Sequence, residues 1–178
     1  MLPLVGAVGA NCAFTGQGLL ASRPLSPLYE QLVAHGMTIS PQGAFPLTCG
    51  GKLCAGRYEI AGNISSQFIT GLLMALPLLD GDSEIVVTSR LESRPYVDMT
   101  LGVLRQFGII IGSNSSGFSV SGNQHPHSPG NLTIEGDWSN AAFWLTAGAL
   151  GGEGMECAPL DKASAQGDRA IVDVLSRM

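Results

Sequence analysis

Apolar positions along this chain alternate between two periods. Leu2 to Gly9, Ser66 to Leu78 and Asn140 to Leu150 are apolar almost throughout. In the second of these, Phe68, Leu72 and Leu76 recur at i, i+4 and i+8, with Ile69 and Leu73 beside them. That pattern predicts a helix covered on most of its sides. A short apolar run follows each stretch and predicts a strand: Cys12 to Thr15, Glu84 to Thr88 and Gly154 to Ala158. An amphipathic helix comes next. Leu25, Leu28 and Leu32 share one face, as do Val97, Leu101 and Leu104, and then Ile171, Val174 and Met178. Gly36 and Gly108 close the first two, in keeping with the preference for glycine just past a helix end. Short strands complete the pattern: Met37 to Ser40, Pro46 to Cys49 and Arg57 to Ala61, then Ile109 to Ile111, Gly117 to Ser121 and Leu132 to Glu135.

The sequence therefore repeats a β-α-β-α-β-β unit. Local matches recur in step with it. Ser22-Arg23-Pro24 returns as Ser93-Arg94-Pro95, Gly62-Asn63-Ile64-Ser65 resembles Gly136-Asp137-Trp138-Ser139, and Thr15 pairs with Thr88. All three are separated by roughly 70–75 positions, the mark of a repeated supersecondary unit. The chain opens inside a first unit and stops inside a third, so it is expected to be a fragment.

Composition narrows the class. The 178 residues are 45% hydrophobic and 13% charged, enough to bury a core and too apolar for disorder. A net charge of −5 with nine Lys plus Arg argues against a nucleic-acid binder. Acids are scarce early: Glu30 is the only one before Glu59, which either leaves that half open to an anion or reflects buried elements that carry few charges. The apolar Met1 to Ala10 lacks a basic lead-in and falls short of the about 20 residues that span a membrane. Cytoplasmic residence is the reading. Cys12, Cys49, Cys54 and Cys157 form no CxxC pair, and His125 and His127 lack further ligands nearby. No metal or cofactor is expected.

Three segments bear on chemistry. Gly16-Gln17-Gly18-Leu19-Leu20-Ala21 matches a dinucleotide fingerprint, but no acid follows about 20 residues on to hold a ribose. It reads as a turn, with a helix starting near Pro24. Gly62 to Gln67 joins a strand to the buried helix. Free N–H groups at such a helix start attract anions, and Ser65 and Ser66 add hydroxyl donors. The competing reading is an ordinary serine cap. Arg23 and Arg94 stand beside prolines at expected helix starts, where a cation opposes the helix dipole, so a bound phosphate or carboxylate is one reason for them.

At these residues the chain resembles a known family. Ser65-Ser66-Gln67-Phe68 with Leu72 to Pro77 is similar to the S-S-Q-F helix of the 5-enolpyruvylshikimate-3-phosphate synthases. Leu91 to Thr100 resembles their S-[KR]-P-Y segment, and Ala21 to Leu25 their x-x-R-P segment. Glu135 to Ser139 resembles the E-G-D-x-S crossing strand, and Gln166-Gly167-Asp168 a later Q-G-D. The matches keep family order and cover nearly the whole chain.

The resemblance implies a mixed α/β (α+β) fold of repeated β-α-β-α-β-β units in an inside-out, barrel-like domain, helices inside and sheets outside. Residues 1–134 would form most of a first domain and 135–178 the start of a second. The implied activity transfers the enolpyruvyl group of phosphoenolpyruvate to shikimate 3-phosphate. Ser65, Ser66 and Ser93 would hold shikimate 3-phosphate, and Tyr96 would pack on its ring. Gln67 would lie between the two substrates, Arg23 would bind phosphoenolpyruvate, and Asp137 would mark the hinge. The family's early Lys-Ser and Arg residues are expected before Met1, and its catalytic Asp, Lys-Glu and arginines after Met178. No catalytic residue is expected within the chain. The parent is expected to be a monomer, and the fragment inactive, with self-association through exposed second-domain residues. The alternatives are a UDP-N-acetylglucosamine enolpyruvyl transferase, which shares the fold but lacks the S-S-Q-F and S-R-P-Y combination, and a non-catalytic half-domain that binds substrate weakly.

Overall fold

The computed structural model describes residues 1–152 and 154–178. They form two compact units, residues 1–128 and 129–178.

The first unit holds two sheets. Helix α1 (Leu2–Ala7) leads into β1 (Cys12–Phe14), α2 (Leu28–Ala34), β2 (Met37–Ile39) and β3 (Leu47–Gly51). These strands make an antiparallel sheet in the order β1-β3-β2. A complete unit follows: β4 (Arg57–Ile60), α3 (Ser66–Ala75), β5 (Ser83–Val87), α4 (Arg94–Gln106), β6 (Ile111–Asn114) and β7 (Gly117–Val120). Its sheet runs β4-β5-β7-β6. The β4–β5 pair is parallel because α3 carries the chain back to the starting edge. The other two pairs are antiparallel. Every expected strand in this unit forms, β6 slightly later than the apolar run Ile109 to Ile111 indicates.

Alternation in the second sheet shows which face is inside. Along β4, Tyr58 and Ile60 are buried while Arg57 and Glu59 are exposed. Inner residues Tyr58, Ile60, Ile85, Phe118 and Val120 share one core with Phe68, Ile69, Leu72, Leu73 and Leu76 of α3 and the turn after it. The outer face carries ion pairs from Arg57 to Glu59 and Glu84. Helices thus line the inside and the sheet faces solvent. Helix α3 is buried on most sides, as its pattern requires. Helix α4 differs: it buries only Val97 and Thr100, with Leu101 and Leu104 half-covered. Its apolar stripe is one face wide, so it lies at the edge of the core.

The second unit contains α5 (Trp138–Gly151) and α6 (Ile171–Leu175). Gln166 ties it together: its Oε1 accepts from Trp138 N at 2.9 Å and its Nε2 donates to the Gly136 carbonyl at 2.9 Å. The expected strands Leu132 to Glu135 and Gly154 to Ala158 do not form. A backbone hydrogen bond from Gly136 N to the Pro159 carbonyl links the residues just after the two stretches. Two short segments with no further described strand beside them lack a sheet to join, and such pairs are unstable alone. Helix α6 buries none of its residues, and Met178 lies beyond it. No helix among the described residues is long and apolar enough to cross a membrane.

Candidate functional site

Parallel β4 and β5 end side by side, with Ile60 opposite Val87. The chain leaving β4 turns through residues 61–65 into α3, and the chain leaving β5 turns through 88–93 into α4. Adjacent loops beyond the carboxyl ends of parallel strands are where α/β sheets commonly bind ligands. Here the loops are clasped. Asn63 N donates to Ser89 Oγ at 3.2 Å, Ser89 Oγ donates to Asn63 Oδ1 at 2.9 Å, and Glu92 N donates to the Gly62 carbonyl at 3.4 Å. Gly62 permits the approach: a Cβ there would lie 2.7 Å from Val87 Cγ1 and 3.0 Å from both Arg90 O and Leu91 Cα.

This clasp brings Ser93 to the start of α3. Ser65, Ser66, Gln67 and Ser93 line one cleft of about 650 Å³ together with Arg23. Phe14, Leu20, Phe45 and Leu47 give the same cleft an apolar wall. Arg23 is the one charged side chain among the described lining residues, and none is acidic. The acid-poor early sequence therefore supplies the walls.

Ser65 is the N-cap of α3, its Oγ accepting from Gln67 N at 3.3 Å. The cap and the anion-site readings of this serine are compatible, because a hydroxyl that accepts one bond still has its own proton to donate. Ser66 follows as the first helical residue, and Ser93 caps α4 without a side-chain hydrogen bond. The start of α3 adds the positive end of its dipole. Three hydroxyls, a helix start, one amide side chain and one guanidinium can hold an anionic, hydroxylated small molecule. Among the described cleft residues there is no carboxylate, Lys or His to move a proton.

The other expected residues stand elsewhere. Tyr96 is 43% exposed in the first turn of α4 and does not line the cleft. Asp137 belongs to the second unit, where its carboxylate caps α5 by accepting from Ser139 N at 2.9 Å. That bond, with support from Asn140, holds the carboxyl below the usual carboxylate range. Arg23 is not at a helix start. It follows a 3-10 turn (Gly18–Ser22) in extended backbone, and α2 begins only at Leu28. Arg94 does open α4, but Asp98 pairs with it at 2.7 Å and its guanidinium lies 6.0 Å over the Phe118 ring. Those partners offset its unfavourable place on the helix dipole without a ligand. Among the described residues, no group of three His, Cys, Asp or Glu could hold a metal.

Sequence reasoning missed the clasp and the apolar wall. The signal for the clasp was Asn63 after a glycine, a turn pair that favours local side-chain hydrogen bonds. Phe45 sits in a Gly- and Pro-containing loop outside both periodicities, so nothing in the pattern marked it.

The fold is that of the enolpyruvyl transferases. The structure is similar to EPSP synthase from Acinetobacter baumannii, with a TM-score of 0.64 and 22% identity, covering 84% of this chain and 34% of that one. It is also similar to the enolpyruvyl transferase NikO from Streptomyces tendae, with a TM-score of 0.60 and 17% identity, covering 83% and 35%. Sequence narrows the class. The family model for EPSP synthase (3-phosphoshikimate 1-carboxyvinyltransferase) matches residues 1–178. The chain belongs to the EPSP synthase family. The 3-phosphoshikimate 1-carboxyvinyltransferase of Clostridium kluyveri is 46% identical over 180 residues, which span all of this chain and 42% of that relative. That of Clostridium acetobutylicum is 42% identical over 181 residues, with the same coverage. The chain thus spans about two fifths of the length of these curated relatives.

Proposed function

We propose that this chain supplies the shikimate 3-phosphate wall of an active site that transfers the enolpyruvyl group of phosphoenolpyruvate, releasing phosphate. The observation that carries the reading is the gathering of Ser65, Ser66, Gln67 and Ser93 at one cleft in a chain of this family. Ser65, Ser66 and Ser93 donate hydroxyl hydrogen bonds to the phosphate and ring oxygens of shikimate 3-phosphate. Gln67 lies between the two substrates, and Arg23 offers phosphoenolpyruvate a cation. Tyr96 is assigned to the shikimate ring. It is the assigned residue of the first unit that lies outside the cleft, so it is the easiest to overturn. Residues 1–134 make up most of one domain and 135–178 begin a second, with Asp137 at the crossing, in a cytoplasmic enzyme that needs no cofactor.

The reaction protonates the methylene carbon of phosphoenolpyruvate, adds the sugar hydroxyl to the neighbouring carbon, and expels phosphate. This chain's residues bind and orient. The cleft offers no acid–base pair for the proton steps, which need positioned donors. The isolated chain therefore releases no phosphate above the no-enzyme control, and it binds shikimate 3-phosphate weakly, with a Kd on the order of 1 mM. Titration with shikimate 3-phosphate, followed by NMR, is expected to move the amide signals of residues 65–67 and Ser93. Shifts confined to other residues, or robust phosphate release, would overturn the assignment.

A further inference from the structure

Two thiols in the first unit stand opposite one another and take no part in the cleft's chemistry. Cys12 of β1 and Cys49 of β3 are direct cross-strand partners in an antiparallel pair. Their sulfurs are 3.4 Å apart, and both cysteines are free. Directly opposed residues in such a pair have Cα atoms about 4.5–5.5 Å apart. A disulfide spans Cα separations of about 4.4–6.8 Å, so the backbone already has a distance the bond accepts. Cys54 and Cys157 are free as well, and Cys54 Sγ donates to the Lys52 carbonyl at 3.9 Å.

We propose that Cys12 and Cys49 form an oxidisable dithiol that closes to a disulfide when the protein meets a peroxide, stapling β1 to β3. Cys12, half-buried, is the sulfur a peroxide reaches, while Cys49 is 7% exposed. The Cys12 thiol gives up its proton and its sulfur attacks one peroxide oxygen; the O–O bond breaks and the departing hydroxide takes that proton and leaves as water, giving a sulfenic acid. Cys49 Sγ then attacks Cys12 Sγ. The S–S bond forms, the S–O bond breaks, and the departing hydroxide takes the Cys49 proton as a second water. Two thiols lose two electrons in all, and one peroxide gains them. Burial, with the Cys12 sulfur beside it, pushes the Cys49 thiol up to about 11. Cys49 is therefore protonated before it attacks and gives up its proton in that step, and the pair stays reduced in a thiol-rich compartment.

The position gives the bond a consequence. Side chains two apart on a strand share a face. Phe14 pairs directly with Leu47, two residues along each strand from the cysteines, and both line the cleft. β1 is a three-residue edge strand whose ladder partner among the described residues is β3. A staple behind Phe14 and Leu47 fixes that apolar wall to the sheet. None of this depends on which substrate the cleft takes.

The test is hydrogen peroxide treatment of the whole chain, read by thiol titration, intact mass and a non-reducing peptide map. We expect titratable thiols to fall from the four present to two, the mass to drop by that of two hydrogens, and one cross-linked peptide joining Cys12 to Cys49. Cys49→Ser is expected to abolish the cross-link and leave a dimedone adduct on Cys12. The double variant Cys54→Ser, Cys157→Ser is expected to keep it. In the oxidised chain, amide exchange across β1 slows relative to the reduced chain. A disulfide mapping to Cys54 or Cys157, or over-oxidation of Cys12 with no cross-link, would overturn the proposal.

Discussion

The second and third copies of one repeat fare differently in this chain. In the second, β4 and β5 each find partners, and β7 and β6 extend the sheet to four strands. In the third, the matching segments at 132–135 and 154–158 carry the same kind of apolar run yet form no ladder. The helices of the two copies contrast as well. Helix α3 buries six of its ten residues, whereas α5 buries Trp138 and Ala141 and leaves Phe143 79%, Trp144 61% and Leu150 75% exposed. A helix is satisfied by its own hydrogen bonds, so α5 forms whatever covers it. A strand has no such independence, because its backbone groups pair only with a neighbour. Similar patterns therefore yield a helix in both copies and strands in one.

The contrast should be plainest in the core. Leu73→Ala in α3, at 0% exposure, removes buried methyl groups and leaves a cavity. It is expected to cost about 2–5 kcal/mol, seen as a lower urea midpoint. Phe143→Ala in α5 is expected to change the midpoint hardly at all and to reduce any concentration-dependent self-association, measured by sedimentation. An exposed apolar face of that kind ordinarily marks a surface that another element covers. Equal destabilisation by the two substitutions would show that α5 is packed as firmly as α3.

A smaller effect should follow at the loop clasp. Gly62→Ala would set a Cβ 2.7 Å from Val87 Cγ1 and 3.0 Å from the Arg90 carbonyl. Separating the two loops is expected to cost about 1–3 kcal/mol, as overpacking does. It should also weaken shikimate 3-phosphate binding, since Ser93 would move away from Ser65 and Ser66. Gly136, its counterpart in the repeat, is just as hemmed in, with a Cβ there meeting the Pro159 carbonyl. No ladder fixes that loop, so Gly136→Ala is expected to leave the global unfolding midpoint nearly unchanged. Denaturation monitored by tryptophan fluorescence and by the NMR signals of the first unit separates the two outcomes.

These cases show what a single sequence discloses. Helix α3 was legible because its apolar residues follow a helical period over three turns, and β4, β5 and β7 because short apolar runs lie between turn residues. The serines of the cleft were legible as types, since a polar strand-to-helix turn with two hydroxyls is a local feature. Whether Ser93 reaches them depends on which strands pair and in what register, which is not local. Asn63 and Ser89 meet only because β4 and β5 are parallel neighbours. Arg23 and Arg94 carry the same local signature, yet one sits in extended backbone at a cleft and the other is tied to Asp98. The copies diverge there because the turn expected over Gly16 to Ala21 forms as a 3-10 turn at Gly18–Ser22, while the helix expected near Pro24 begins only at Leu28.

The smallest expected effect concerns the caps of the two helices, Ser65 on α3 and Asp137 on α5. Both accept from the amide two residues on. Ser65→Ala is expected to cost about 1 kcal/mol, at every pH, because a hydroxyl does not titrate in the working range. Asp137 should behave differently. Its hydrogen bonds from Ser139 and Asn140 hold its carboxyl below the ordinary value of 3.8. A group whose folded pKa is depressed contributes stability above its unfolded pKa and loses it as pH falls through the folded one. The α5 cap is thus complete near neutrality and is lost only in acid, below the usual carboxylate range. Exposure of this carboxylate to solvent keeps the effect slight and sensitive to salt. Its reporter is local: the amide signal of Ser139 should titrate with a midpoint below that of a free aspartate, and helical circular dichroism should fall slightly over the same interval. Asp137→Asn keeps a capping oxygen without the proton equilibrium, since Asn is about as good a cap as Asp. In that variant the acid transition of Ser139 should vanish while the helix remains. If the transition persists, another group governs it, and α5 is held by something other than its cap.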